Sequence, residues 1–362
     1  MCDVTDDAPA RRCRGAVPTR DAGCGAAAAV RRPGGVRTVD PLVVALDVGG
    51  TSIKGALVDR AGAVVAGGAW ETGVPHGPDA VVRHILDAAA ELAGRAPDGT
   101  APRGAGICVP GVVDAAAGVA RWAANIGWTD VPLQDLAAAR LGLPVALGHD
   151  VRTAALGEGR FGAGTGDPGH PGDPGPVAAA GRTVFCVMIG TGIAGGLVRW
   201  IDGVAQVDDG DRAMAGEVGH LVVRPGGPPC GCGNRGCLEA LASASRIASR
   251  YRELTGTAAT ARDVADRAAA GDPAAVAVWT DAVDALADAL AAVTVLLDPG
   301  AVVVGGGLSL AGERLTGPLR PALVARLTFR SPPPVRLSEL GDRAGVLGAA
   351  ALAWQVVERG RE

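Results

Sequence analysis

Apolar residues in this chain come as short continuous runs and as helical stripes, and their order predicts an α/β protein. The run Leu42-Val-Val-Ala-Leu-Asp47 reads as a buried strand, closed by the turn Val48-Gly-Gly-Thr51. Runs over 53–58 and 63–70, joined through Asp59-Arg-Ala-Gly62, extend it into an antiparallel meander of three strands. Residues 78–93 have helical period, 104–109 form another buried strand, and a short strand at 145–147 feeds a helix over 151–160. Residues 162–181, rich in Gly, Pro and Asp, read as a surface loop, because strands resume at once over 183–189 and 194–199. Strand, glycine-threonine turn and strand repeat the opening unit, so two related α/β lobes with a cleft between them are expected. From there the pattern is mostly helical to Leu297. A strand over 301–304 then ends in Gly305-Gly-Gly307, and a last helix covers 346–358.

Length and composition narrow this picture. A chain of 362 residues has room for two domains at roughly 150 residues each. The expected division is an arm over 1–40, a small lobe over 41–148 with the helix 346–358 packing back onto it, and a larger lobe over 149–345. The arm lacks a sustained apolar period and the apolar centre of a signal peptide, which predicts disorder or a start codon assigned too early. Asp3, Asp6 and Asp7 interrupt its basic residues, against a mitochondrial-type presequence. A net charge of −4 argues against a nucleic-acid-binding face, and no apolar run approaches the roughly 20 residues of a membrane span. A soluble, cytoplasmic protein is expected.

The glycine turns carry the first chemical signal. In Asp47-Val-Gly-Gly-Thr-Ser-Ile-Lys54, bare backbone at Gly49 and Gly50 can approach phosphate oxygens, Thr51 adds a hydroxyl donor, and Asp47 can hold hydrated Mg²⁺. An ordinary hairpin turn would look the same, and the arrangement is not a Walker A loop. Gly190-Thr191-Gly192 repeats the device, so two such turns could grip a triphosphate from both sides. Gly305, Gly306 and Gly307 end a strand where bare backbone could pass an adenine ring or make a tight turn. Asp150, after His149 at a strand end, is placed either as a general base facing the cleft or as a helix cap. His220, Cys230, Cys232 and Cys237 make a Cys₃His set, which closes a tetrahedral zinc site without an open position. Glu217 and Glu239 flank it, suited to sugar hydroxyls or to solvent. Cys108 and Cys186 lie in apolar runs and are read as buried residues.

Together these motifs, in this order over about 42–358, resemble the ROK family of repressors, open reading frames and sugar kinases, especially its bacterial glucokinases. The resemblance implies a ribonuclease H-like, actin-like ATPase fold that binds ATP and sugar between two lobes. It implies that Asp47 to Thr51, with Lys54, and Gly190 to Gly192 hold the phosphates, and that Gly305 to Gly307 lie beside adenosine. It implies Asp150 as the base that deprotonates the sugar's 6-hydroxyl. Gly111, Asn125, His149, Glu217, His220 and Glu239 fall on the sugar side, and His220 would serve both zinc and sugar through its two ring nitrogens. Implied cofactors are ATP, Mg²⁺ and structural Zn²⁺. The implied partners are a free sugar and ATP, with no nucleic acid or membrane, in a homo-oligomer (dimer or tetramer).

One position departs from the family pattern. Glucokinases of this kind read Asn-Asp where this chain has His149-Asp150, and Val-Arg-Thr follows instead of Ala-Asn-Ala. An imidazole is bulkier than an amide and can titrate, so the sugar is expected either to differ from glucose at one ring position or to be glucose held through an altered contact. Kinases of N-acetylmannosamine, N-acetylglucosamine or allose are alternatives within this chemistry. A repressor is a different class, but about 40 residues without two amphipathic helices hold no helix-turn-helix domain. A non-catalytic sugar sensor would not need Asp150 and both phosphate turns.

Overall fold

The computed structural model describes residues 40–98, 100–165 and 183–360, all within one compact unit, Val39–Glu362. The arm over 1–39 and the centre of the Gly/Pro-rich loop lie outside the described residues; only its start is seen, where 163–165 form a 3₁₀ turn.

The opening meander forms as predicted. Strands β1 (Leu42–Val48), β2 (Ser52–Val58) and β3 (Val64–Glu71) pair antiparallel. After helix α1 (Pro78–Gly94), β4 (Pro102–Val109) joins β1 in parallel. A small antiparallel sheet follows, made of β5 (Val112–Asp114), β6 (Val119–Ala123) and β7 (Trp128–Val131). Helix α2 (Leu133–Leu141) then leads to β8 (Val145–His149), which completes a first sheet of order β3-β2-β1-β4-β8. Helix α3 (Asp150–Phe161) starts one residue earlier than its pattern suggests.

The second half repeats this plan. Strands β9 (Thr183–Ile189), β10 (Ile193–Ile201) and β11 (Val204–Val207) form an antiparallel meander. Residues 208–237 are irregular, where a helical stretch was expected, because glycines, prolines and the cysteine cluster interrupt them. Helices α4 (Leu238–Ala242), α5 (Ala244–Thr255), α6 (Ala261–Ala269) and α7 (Pro273–Leu297) follow. At the start of α7, Asp272 caps Ala274 N–H and Ala275 N–H, and Pro273 occupies the first turn, where its missing N–H costs nothing. Strand β12 (Ala301–Gly305) pairs in parallel with β9. Helix α8 (Glu313–Arg326) connects it to β13 (Val335–Leu337), giving the order β11-β10-β9-β12-β13. Helix α9 (Ala344–Arg359) ends the described chain.

Four apolar clusters hold these layers. α1 and α2 cover one face of the first sheet, and α4 to α8 cover one face of the second. The inner faces are filled by α9 and α3. α9 is apolar on almost every side, as a helix enclosed by protein must be. It approaches its neighbours so closely that a Cβ at Gly348 would lie 1.8 Å from the carbonyl oxygen of Thr153 on α3. One at Gly106 on β4 would lie 1.9 Å from the carbonyl oxygen of Ala349. Only glycine permits either contact.

Candidate active site

The first glycine turn is braced from β3. Gly49 N–H donates to Ser52 O at 2.9 Å, and the buried Thr72 hydroxyl donates to Gly49 O at 2.6 Å while its own N–H donates to Thr51 O at 3.2 Å. Gly49, Gly50 and Thr51 are exposed. A Cβ at Gly50 would lie 3.3 Å from the side-chain amide of Asn125, so the loop between β6 and β7 reaches this turn. Lys54, on β2 opposite Asp47, pairs with Asp342 at 3.2 Å just before α9.

The second turn is built alike on the second sheet. Gly190 N–H donates to Gly192 O at 2.9 Å, and Ser245 on α5 supplies the hydroxyl, donating to Thr191 O at 2.7 Å. Glu239 on α4 accepts from Ile193 N–H at 2.9 Å, so it ties α4 to the end of this turn. The third glycine run joins it. Gly306 has φ of 75°, and a Cβ there would lie 2.5 Å from Ile189 O, the last residue of β9.

Asp150 lies close enough to two acids from distant parts of the chain, Asp47 and Glu217, to feel their charge. Asp47 is the last residue but one of β1, Asp150 starts α3, and Glu217 precedes the 3₁₀ turn Val218–His220. Asp150 keeps 36% of its side chain open, yet enough protein surrounds it that burial, reinforced by Asp47 and Glu217, raises its pKa to about 6. The Val151 N–H, donating to its Oδ1 at 2.7 Å, and Arg152 oppose that rise. It caps no later turn of α3; His149 holds the cap position, without a side-chain bond. Burial also raises the Asp47 carboxyl, against the opposing effects of Cys108 and Lys54. The Cys108 thiol donates to Asp47 Oδ1 at 3.4 Å from the adjacent strand, and a Cβ at Gly345 would press on the other oxygen at 2.3 Å. Burial drives the His149 imidazole down to about 3, and Arg152 adds to this, so the ring is neutral.

Among the expected sugar-side residues, Gly111, Glu217 and His220 sit on two strands, β6 and β10. Gly111 has φ of 94° and packs so tightly on β6 that a Cβ would lie 2.1 Å from Trp122 O. The segment carrying Glu217 and His220 lies on β10: Cβ atoms at Gly216 and Gly219 would lie 2.0 and 2.1 Å from the carbonyl oxygens of Gly195 and Ile193.

His220, Cys230, Cys232 and Cys237 bring one ligand atom each within 4.8 Å of one another. Cys230 Sγ is 3.7 Å from His220 Nδ1, and Cys232 Sγ is 3.7 Å from Cys237 Sγ. A tetrahedron of bonds of about 2.3 Å has edges of about 3.8 Å, so the group fits a zinc ion. Short backbone bonds shape it independently, among them Cys230 N–H to Asn234 O and Gly236 N–H to Pro228 O, both 2.8 Å.

Thr72, Cys108, Arg152 and Ser245 support this site without having been anticipated as part of it. Cys108 carried a partial signal, as a sulfur in an apolar strand beside the Asp47 strand.

Known proteins place the arrangement in context. The ROK family profile matches residues 43–356. A glucokinase of Thermotoga maritima is 35% identical over 327 residues, covering 86% of this chain and 96% of that protein. Among solved structures, a ROK hexokinase from Thermus thermophilus superposes with a TM-score of 0.74 at 33% identity, covering 88% of this chain and 99% of that one. A ROK glucokinase from Streptomyces griseus, in complex with glucose and AMPPNP, superposes at 0.68 and 31% identity, covering 87% and 99%. The chain has the two-lobed, actin-like ATPase fold of these sugar kinases. Among the described residues, no helix is long and apolar enough to cross a membrane.

Proposed function

This chain belongs to the ROK family, and from that premise we propose that it is an ATP-dependent kinase of a free hexose, transferring the γ-phosphoryl group to the 6-hydroxyl. Similarity over most of the chain to a glucokinase, and to one whose structure holds glucose and a non-hydrolysable ATP analogue, supports the reading. The observation that carries it on this chain is Asp150: a carboxylate open to the site, beside Asp47, with a pKa near 6. Such a group is ionised at neutral pH and basic enough to take a proton from an alcohol. In the reaction the sugar O–H bond breaks, its proton passes to Asp150, the freed oxygen bonds to the γ-phosphorus, and the bond to the ADP oxygen breaks.

The two glycine turns are proposed to hold the phosphates, with Gly305 to Gly307 beside adenosine and Lys54 near the first turn. Asp47 would hold Mg²⁺, as an acid beside the first glycine turn can. Mg²⁺, when bound, neutralises charge building on the phosphoryl oxygens. Asn125, Glu217, His220 and Glu239 would position the sugar, with Gly111 shaping the wall. Zinc on His220, Cys230, Cys232 and Cys237 has no open position, so its part is to hold His220 still. The lobes are proposed as 41–148 with the last helix packed back, and 149–345. A homo-oligomer is proposed too, consistent with the exposed apolar end of α7 at Val295, Leu296 and Leu297.

The deciding experiment is ADP release with ATP and Mg²⁺ across glucose, mannose, allose, glucosamine, N-acetylglucosamine and N-acetylmannosamine. Turnover with glucose foremost is expected. A preference for an N-acetylated hexosamine or allose would reassign the substrate, and no turnover in zinc-replete protein would make the chain a sugar sensor.

A further inference from the structure

The pair His149 and Asp150 has a geometry that general-base chemistry alone does not account for. The His149 side chain is nine-tenths buried, and its Nδ1 lies 3.2 Å from Asp150 Oδ1. That nitrogen has no hydrogen-bond partner, because the direction, not the distance, falls short of a bond. A buried polar nitrogen left unpaired is costly, and the Asp150 carboxylate is the acceptor beside it. With the carboxylate ionised, an unprotonated Nδ1 would set two lone pairs against each other at that separation. The favoured tautomer therefore carries its proton on Nδ1.

We propose that His149 is a positioning residue for the base: after a small turn of either side chain, across a separation already within hydrogen-bond reach, its neutral imidazole donates Nδ1–H to the Asp150 carboxylate and holds it toward the sugar. The inference rests on the reading of Asp150 as the base. It goes further in making the neighbouring imidazole, bulkier than an amide, part of that base's machinery. No proton is transferred through the ring, which stays neutral because burial holds its pKa near 3. The other groups acting on Asp150 are the Val151 N–H, the Asp47 and Glu217 carboxylates and the Arg152 guanidinium. The buried Cys108 thiol also feels its charge. His149 is a neutral side chain, so removing its donor leaves the net charge around Asp150 unchanged.

The test compares His149→Phe, which keeps an aromatic plane without a donor, with His149→Asn, which restores one. In kcat/KM against pH, the acid limb of the Phe variant is expected to move up by on the order of one unit, and the Asn variant to return most of the way. Sugar KM should change less than kcat. An acid limb identical to wild type in His149→Phe, or an Asn variant no better than Phe, overturns the proposal. A second readout needs no turnover: ¹⁵N NMR of the ring, assigned by its loss in His149→Asn among only five histidines, should show protonated Nδ1. A ring protonated on Nε2 refutes the proposal. If Asp150→Asn retains wild-type turnover, the base assignment fails, and the NMR result still decides whether the donor exists.

Discussion

Arg152 Nε donates to Asp209 Oδ1 at 2.6 Å, from a side chain almost wholly buried on α3. Its Nη1 donates to Ala215 O at 3.2 Å. Two residues after the proposed base, α3 thus pins both ends of the loop that leads into Glu217. The guanidinium is planar and multidentate, so one side chain fixes two points of a loop that has little regular structure of its own.

Replacing Arg152 with Met should loosen this loop. Breaking a fully buried ion pair costs about 3–5 kcal/mol, but Asp209 is 34% exposed and can regain water, so a loss of about 2 kcal/mol is expected. The melting temperature should fall by roughly 3 °C. Sugar KM should rise several-fold, with a smaller change in ATP KM, because Glu217 sits at the loop's end. A variant with unchanged sugar KM would show that the tether is structural only.

Asp150→Asn has two expected effects of opposite sign. Turnover should drop by roughly 10²–10⁴-fold as the base is lost, while sugar binding stays measurable by calorimetry. Stability should rise. The folded protein raises this carboxyl from 3.8 to about 6, so it binds the proton more tightly than the unfolded chain does. The resulting penalty is absent below about pH 4, grows as pH rises toward 6, and is complete above it. At pH 7.5 the Asn variant should therefore melt higher, by roughly 2–4 °C given the partial exposure, with the gap closing by pH 4. Wild-type activity should fall as pH drops through about 6. An equal gap at pH 4 and 7.5 would show that ionisation is not the cause.

Much of the scaffold is legible in the sequence, for a definite reason. β1, β4, β9 and β12 are continuous apolar runs because protein covers both faces, and such runs stand out from their surroundings. The small sheet β5 to β7 did not stand out: its strands are three to five residues long and partly open to solvent. The irregular stretch over 208–237 showed its ligand spacing but not its shape. The braces were hidden for another reason. Thr72 meets Gly49 across 23 positions, Ser245 meets Thr191 across 54, Arg152 meets Asp209 across 57, and Cys108 meets Asp47 across 61. No local pattern marks a hydroxyl or a guanidinium whose partner is that far along the chain.

The cysteine cluster should hold close to one zinc per chain by elemental analysis. Cys232→Ser, at an exposed ligand, should lower that content several-fold and raise sugar KM more than ATP KM, because His220 is the ligand shared with the proposed sugar site. The main unfolding transition should move little. Arg224 anchors the segment to Asp288 on α7, and backbone bonds shape the loop without metal. Metal-free protein with full activity would dispose of the zinc assignment.

Gly348→Ala and Gly190→Ala should separate packing from ligand binding. In a helix, alanine is ordinarily favoured over glycine by about 1 kcal/mol. At Gly348 that gain is overwhelmed, because the new Cβ would lie 1.8 Å from Thr153 O and backbone atoms on both helices would have to part. Loss of several kcal/mol, seen as a lowered melting temperature or insoluble protein, is expected. At Gly190 nothing lies within 4 Å of the added carbon, and its φ lies outside the left-handed region, so the fold should tolerate alanine. If that open space is where phosphate oxygens approach the backbone, Gly190→Ala should raise ATP KM about tenfold or more while melting as wild type does. Unchanged ATP kinetics would mean that the second glycine turn does not touch the nucleotide.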